Sequence, residues 1–187
     1  MTQIQNVAGT PAGVTNDYRA QVEGFGRDYH LACCLDGWAF TMFDATVIPT
    51  GAGDYFAKIQ NSSSDLLYIT GITIVDVGTE VINMHVSPAF ASGGTHGVIV
   101  PVNRYSGSAN LAATKGVFES DVNITGSTDT QLAAFNVAAG VEFSHDMFDA
   151  PLVLGPNQAM VLEAVTGTAA IRYAIDFYFG TVATVNS

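Results

Sequence analysis

Positive charge is scarce in this sequence. Its 187 residues hold six Lys and Arg against seventeen Asp and Glu, a net charge of −11 with neutral histidines. Four of the six cations, Arg19, Arg27, Lys58 and Arg104, are scattered and form no stripe. Nucleic-acid binding draws on several Lys or Arg that displace counterions from phosphates, so no nucleic-acid partner is expected. Anionic membrane surfaces are disfavoured for the same reason. Charge of either sign is also short, at 12% of residues against a usual share of roughly 25%. Such a surface takes its polarity from Ser, Thr, Asn and Gly. It suits a protein whose exterior is covered by neighbours, and a secreted β domain shares the pattern.

Cysteine is nearly lacking, and Cys33 and Cys34 are adjacent. A bridge between neighbours strains the intervening peptide, so they read as two small, partly buried thiols. The start, Met1 to Asn6, has no charged segment leading into an apolar one, so no secretory leader is read there. No run approaches the ~20 apolar residues of a membrane span. The expectation is assembly in a cytoplasm, with no membrane partner.

Catalytic signatures are missing as well. The chain has no GxSxG, HxH, HExxH or CxxC pattern of the kind that marks a nucleophile elbow or a metal site. Gly24-Phe25-Gly26 lacks the third glycine of a dinucleotide fingerprint. The densest candidate ligand group is His145 and Asp146 with Asp149. That is few ligands for a hard cation preferring about six oxygens, so a structural or solvated role is expected. No enzyme, cofactor or metal is read from the chain. Asn61-Ser62-Ser63 and Asn123-Ile124-Thr125 match the glycosylation sequon and, without a leader, are taken as chance.

What is present is β structure. Residues 1–37 are small and turn-prone, with isolated large side chains at Tyr18, Phe25, Tyr29 and Leu31. They form either an arm laid across a partner, with those aromatics as anchors, or an irregular N-terminus packed on its own domain. From residue 38 to 187, short apolar stretches alternate with turn residues, which predicts one β-sandwich domain. Strands are expected at Trp38–Ile48, Tyr55–Gln60, Leu66–Val75, Thr79–Ser87, Val98–Val102, Val117–Thr125, Ala159–Val165 and Ala170–Phe179. Thr166-Gly167-Thr168 reads as a hairpin turn, and Gln131–Ala139 as either a strand or a short helix. Alternation places His85 opposite Ile82, Met84 and Val86, hence at a surface or interface, with Tyr68 and Tyr178 in a similar position. Residues 103–116 form a long polar stretch; such loops are often functional, which makes Arg104 and Tyr105 candidate partner contacts. The fold class is all-β, a jelly-roll-like antiparallel β-sandwich with an irregular N-terminal arm.

Three stretches resemble a known group. Asp54-Tyr55-Phe56-Ala57-Lys58-Ile59-Gln60-Asn61-Ser62-Ser63-Ser64-Asp65-Leu66-Leu67-Tyr68-Ile69 is similar to a segment of small β-rich virion proteins of tailed bacteriophages. So are Leu152 to Val161 and the closing Arg172 to Phe179. The resemblance implies a head decoration, or cement, protein. Such a jelly-roll sits on the capsid exterior, self-associates as a trimer and clamps major capsid protein subunits. It implies no catalytic residues. The other reading of the same sandwich is a tail, fibre or receptor-binding module for host glycans, which requires clustered exposed aromatics.

Overall fold

A computed structural model describes residues 33–180, apart from 88–89, 93–96, 127–129 and 168. Tyr18, Phe25 and Tyr29 lie outside the described residues. The strands are β1 (Ala39–Val47), β2 (Asp54–Asn61), β3 (Leu66–Asp76), β4 (Glu80–Ser87), β5 (Phe90–Ser92), β6 (Gly97–Val98), β7 (Val102–Asn103), β8 (Gly116–Gly126), β9 (Thr130–Val137), β10 (Glu142–Asp146), β11 (Leu152–Leu154), β12 (Ala159–Ala164) and β13 (Ile171–Gly180).

They form two antiparallel sheets. The six-stranded sheet runs β10-β3-β13-β1-β7, with β11 also on β3; the seven-stranded sheet runs β5-β8-β2-β12-β4-β9, with β6 on β8. Setting aside β5–β8 and β11 as insertions leaves eight strands in the orders β1-β13-β3-β10 and β2-β12-β4-β9. That interleaving of first, last and middle strands is the jelly roll.

Alternation builds the core. On β13, Ile171, Tyr173, Ile175, Phe177 and Phe179 point inward and are buried. Phe177 stacks on Phe40 of β1 at 5.7 Å and on Phe118 of β8 at 5.1 Å, so one ring joins the two sheets. Aromatic pairs at this spacing add to the free energy of area burial alone.

The stretches Asp54–Ile69 and Leu152–Val161 meet at one corner. Asn61, fully buried at the end of β2, donates from Nδ2 to the carbonyls of Asp65 (2.7 Å) and Leu154 (3.0 Å). Its Oδ1 accepts from the Ser63 N–H and hydroxyl, and its backbone exchanges bonds with Asn157 and Gln158. Asn157 takes the left-handed φ of +62°, a conformation that asparagine tolerates better than most residues. Asn61 is thus a corner post of the fold. A buried side chain with all its polar atoms engaged is not a glycan acceptor.

Three expectations change. Thr166–Thr168 does not close a hairpin: β12 belongs to the seven-stranded sheet and β13 to the six-stranded one. Val98–Val102 is not one strand; β6 pairs with β8, β7 pairs with β1, and the chain switches sheets around buried Pro101, which has no N–H for a ladder. His85 does face away from the core, but it is buried. Residues 130–137, left open between helix and strand, form β9 against β4.

Candidate partner-binding face

The outer face of the six-stranded sheet is assembled row by row from residues of opposite phase to the core. Register places Val102, Thr41, Asp176, Gly71 and Asp146 in one row, and Phe43, Ala174, Thr73 and Ser144 in the next. Phe43 and Val102 are each 53% exposed. They lie on neighbouring strands, two residues apart in register, and form an apolar step among Ala174, Gly71, Thr41, Thr73 and Ser144, with carboxylates at Asp176 and Asp146. Val153, on β11 at the far edge, is exposed as well.

One end of this face is structured by the loop that the sequence singled out. Arg104 reaches across β1 to Asp176, with Nη1 3.5 Å from Oδ1, and both side chains are partly exposed. The same carboxylate oxygen accepts from the Thr41 hydroxyl at 2.5 Å. Tyr105 is 46% exposed, its N–H bonded to Asn103 Oδ1. The 103–116 stretch is pinned rather than open. Asn103 Nδ2 donates to the carbonyls of Gly37 (2.8 Å) and Asn110 (3.1 Å), and Asn110 Nδ2 donates to that of Asp36 (3.1 Å). Ala112–Thr114 adds a single 3-10 turn. Gly37 has φ +72°, and a Cβ there would meet Ser108 Oγ at 2.1 Å; only glycine fits under this loop.

Behind Arg104, the turn at 33–37 packs on the sheet. Cys33 is buried with Ala39 and Tyr178, and Tyr68 stacks on Tyr178 at 4.7 Å. The two tyrosines cover the sheet and each other. Burial raises the Cys34 thiol above its ordinary value, with a smaller opposing pull from Arg104 and a push from Asp176. A thiol held protonated is a poor nucleophile. Burial likewise raises the Tyr68 hydroxyl.

Other candidates do not converge. His145 points inward against Phe135, ring centroids 5.2 Å apart, while Asp146 lies on the outer face and caps the Phe148 N–H. Successive strand residues face opposite ways, so that group cannot close on a cation. Among the described residues, no three His, Cys, Asp or Glu gather at metal-binding range. Among them too, the exposed aromatics are Phe43 and Tyr105.

The outer face of the seven-stranded sheet differs. Lys58 and Glu119, directly opposite on β2 and β8, are buried with Nζ 3.2 Å from Oε2. His85 Nε2 and Asn83 Nδ2 each lie 2.8 Å from Glu163 Oε2, and Tyr55 sets its edge against the His85 ring. Val161 and Ala159, between them on β12, are fully buried. The middle of this face, around Lys58, Val161 and His85, is buried.

Phe43 and Val102 were missed by sequence reading. A signal existed for Phe43: it falls on the polar phase of β1, with Thr41 and out of step with Phe40 and Met42. Val102 was hidden by being counted in a strand with Val98.

Compared with protein-family models, curated proteins and solved structures, the chain matches none.

Proposed function

We propose that this chain is a bacteriophage head decoration protein that lays the outer face of its six-stranded sheet on the major capsid protein lattice, on the virion exterior. The observation that carries the reading is that face: stepped by Phe43 and Val102 among small Ala, Gly, Thr and Ser side chains, and bordered by Arg104 and Tyr105. Small side chains let a partner approach the sheet closely, and exposed aromatic and Arg residues are the types enriched where partners bind. The jelly-roll strand order and the phage-like segments around Asn61 support the same reading. Many copies on one lattice multiply modest single-site affinities.

The test is co-sedimentation with capsids that lack the protein. Saturable binding, accompanied by greater resistance of the shell to heat, supports the proposal. Capsids that pellet without it, while cells or immobilised glycans retain it, move the face to a receptor-binding module. Removal of residues 1–25 separates arm from face: weakened binding by the folded truncation assigns contacts to the arm, and full-strength binding leaves the sheet face as the contact.

A further inference from the structure

The two sheets end in unlike edges. On the six-stranded sheet, β10 is a five-residue edge carrying Glu142, His145 and Asp146. Charged side chains on an edge deter a further strand. On the seven-stranded sheet, β9 is an eight-residue edge, Thr-Gln-Leu-Ala-Ala-Phe-Asn-Val, without a charge or a proline. It pairs with β4 on one side, and among the described residues nothing pairs with its other side. Most of its side chains that point away from the core are exposed, including Ala134 and Asn136.

One irregularity shapes this edge. Ala133 pairs with Met84 and Gln131 with His85, so Leu132 is left out of the ladder. It stands 50% exposed at the rim. A bulge of this kind ends regular pairing locally and confines a usable edge to Ala133–Val137, flanked by one exposed leucine.

We propose that the free edge of β9 pairs, antiparallel and about a two-fold axis, with β9 of a second copy of this chain. Charge allows a second copy here: at −11, two copies repel wherever carboxylates meet, and the residues of β9 bring none to the seam. Symmetry fits as well. A two-fold perpendicular to the sheet sets residues of the same face against each other, so Phe135 and Val137 extend one continuous inner face while Ala134 and Asn136 meet outside. Alanines at the strand centre let the backbones close to ladder distance without a steric obstacle. The product is a pair, not the trimer that the phage resemblance implies, and it does not depend on capsid binding.

The test is light scattering of the full chain across a concentration series, with Ala134→Lys and Ala134→Glu prepared separately and mixed. Wild type is expected to reach two copies per particle. Each variant alone sets like charges across the axis and raises the dissociation constant by about tenfold or more. The equimolar mixture sets unlike charges across it and restores the pair, which a misfolded variant would not do. Asn136→Lys with Asn136→Glu repeats the test one step along the same face. Wild type that stays single at its highest soluble concentration overturns the proposal. So does a three-copy particle, or a pair indifferent to all four variants.

Discussion

The outer faces of the two sheets are built from the same alternation and end in opposite states. On the seven-stranded sheet the outward residues include Lys58, Glu119 and His85, which are buried, and the half-buried Glu163, joined in the pairs Lys58–Glu119 and His85–Glu163. On the six-stranded sheet they include Thr41, Phe43, Thr73 and Ala174, small or apolar, beside Asp176 and Asp146, all at least partly open. Polar character therefore does not mark the accessible surface in this molecule. The buried Lys58–Glu119 pair lies on one face, and the exposed apolar side chains of Phe43 and Val102 lie on the other.

The comparison breaks most sharply at Lys58. Replacing it with Ala leaves the Glu119 carboxylate buried without its cation, and the expected loss is about 3–5 kcal/mol, read as the midpoint of urea unfolding. The double change Lys58→Met, Glu119→Leu removes both charges and is expected to recover most of that loss. If the single variant is as stable as wild type, the face is not dry.

Glu80 provides a control away from both faces. Burial alone would raise its pKa, but bonds from the Val81, Thr166 and Gly167 N–H groups and the Thr166 hydroxyl outweigh it and hold the carboxyl below its ordinary value. A depressed folded pKa stabilises the fold above the ordinary value of 4.5, and the contribution fades as pH falls through the lowered one. Glu80→Gln is expected to cost about 2 kcal/mol at neutral pH and progressively less in acid.

Its neighbour Asp76 has the opposite sign. Burial, and to a lesser degree the charge of Glu80, raise its pKa, while the Gly78 N–H partly offsets them. Its protonated form is favoured by folding, so its contribution is complete below the ordinary value of 3.8 and is lost as pH climbs through the raised one. Asp76→Asn is expected to raise the melting temperature at neutral pH relative to wild type and to narrow that gain in acid. A gain that widens in acid would reverse the assignment.

On the open face the expected effects on folding are small and those on binding large. Phe43→Ser with Val102→Ser is expected to change stability by under about 1 kcal/mol while weakening capsid co-sedimentation by about tenfold. Arg104→Ala, which breaks a partly exposed pair, is expected to change stability by about 0.5 kcal/mol or less. A double serine variant that binds capsids at full strength removes this face from the proposal.

Much of the fold was legible because alternation in β3 and β13 is nearly uninterrupted, and Asn-Ser-Ser-Ser-Asp and Gly-Pro-Asn-Gln are strong turn signals. What alternation cannot carry is which sheet a strand joins. Thr166–Thr168 looks like a hairpin turn although its flanking strands lie in different sheets, and the run from Val98 to Val102 hides a switch between sheets. Nor does alternation say whether an outward residue is covered. His85, Tyr68 and Tyr178 were placed on the correct side of their strands, yet His85 and Tyr178 are buried and Tyr68 is partly covered. Of the candidate contacts, Arg104 and Tyr105 could be located and are accessible.

The strand order also sets when this protein can fold. No two consecutive strands pair with each other among the described residues, so no local ladder forms while the chain is emerging. The last described strand, β13, lies between β1 and β3 in the middle of its sheet. Until that stretch has been synthesised, β1 and β3 have no common neighbour, and the apolar faces of both stay exposed. Long-range pairing of this kind is slow and leaves hydrophobic surface open in the interval. Each nascent chain therefore waits for β13 before β1 and β3 share a sheet, and during that wait an acidic net charge keeps neighbouring chains apart.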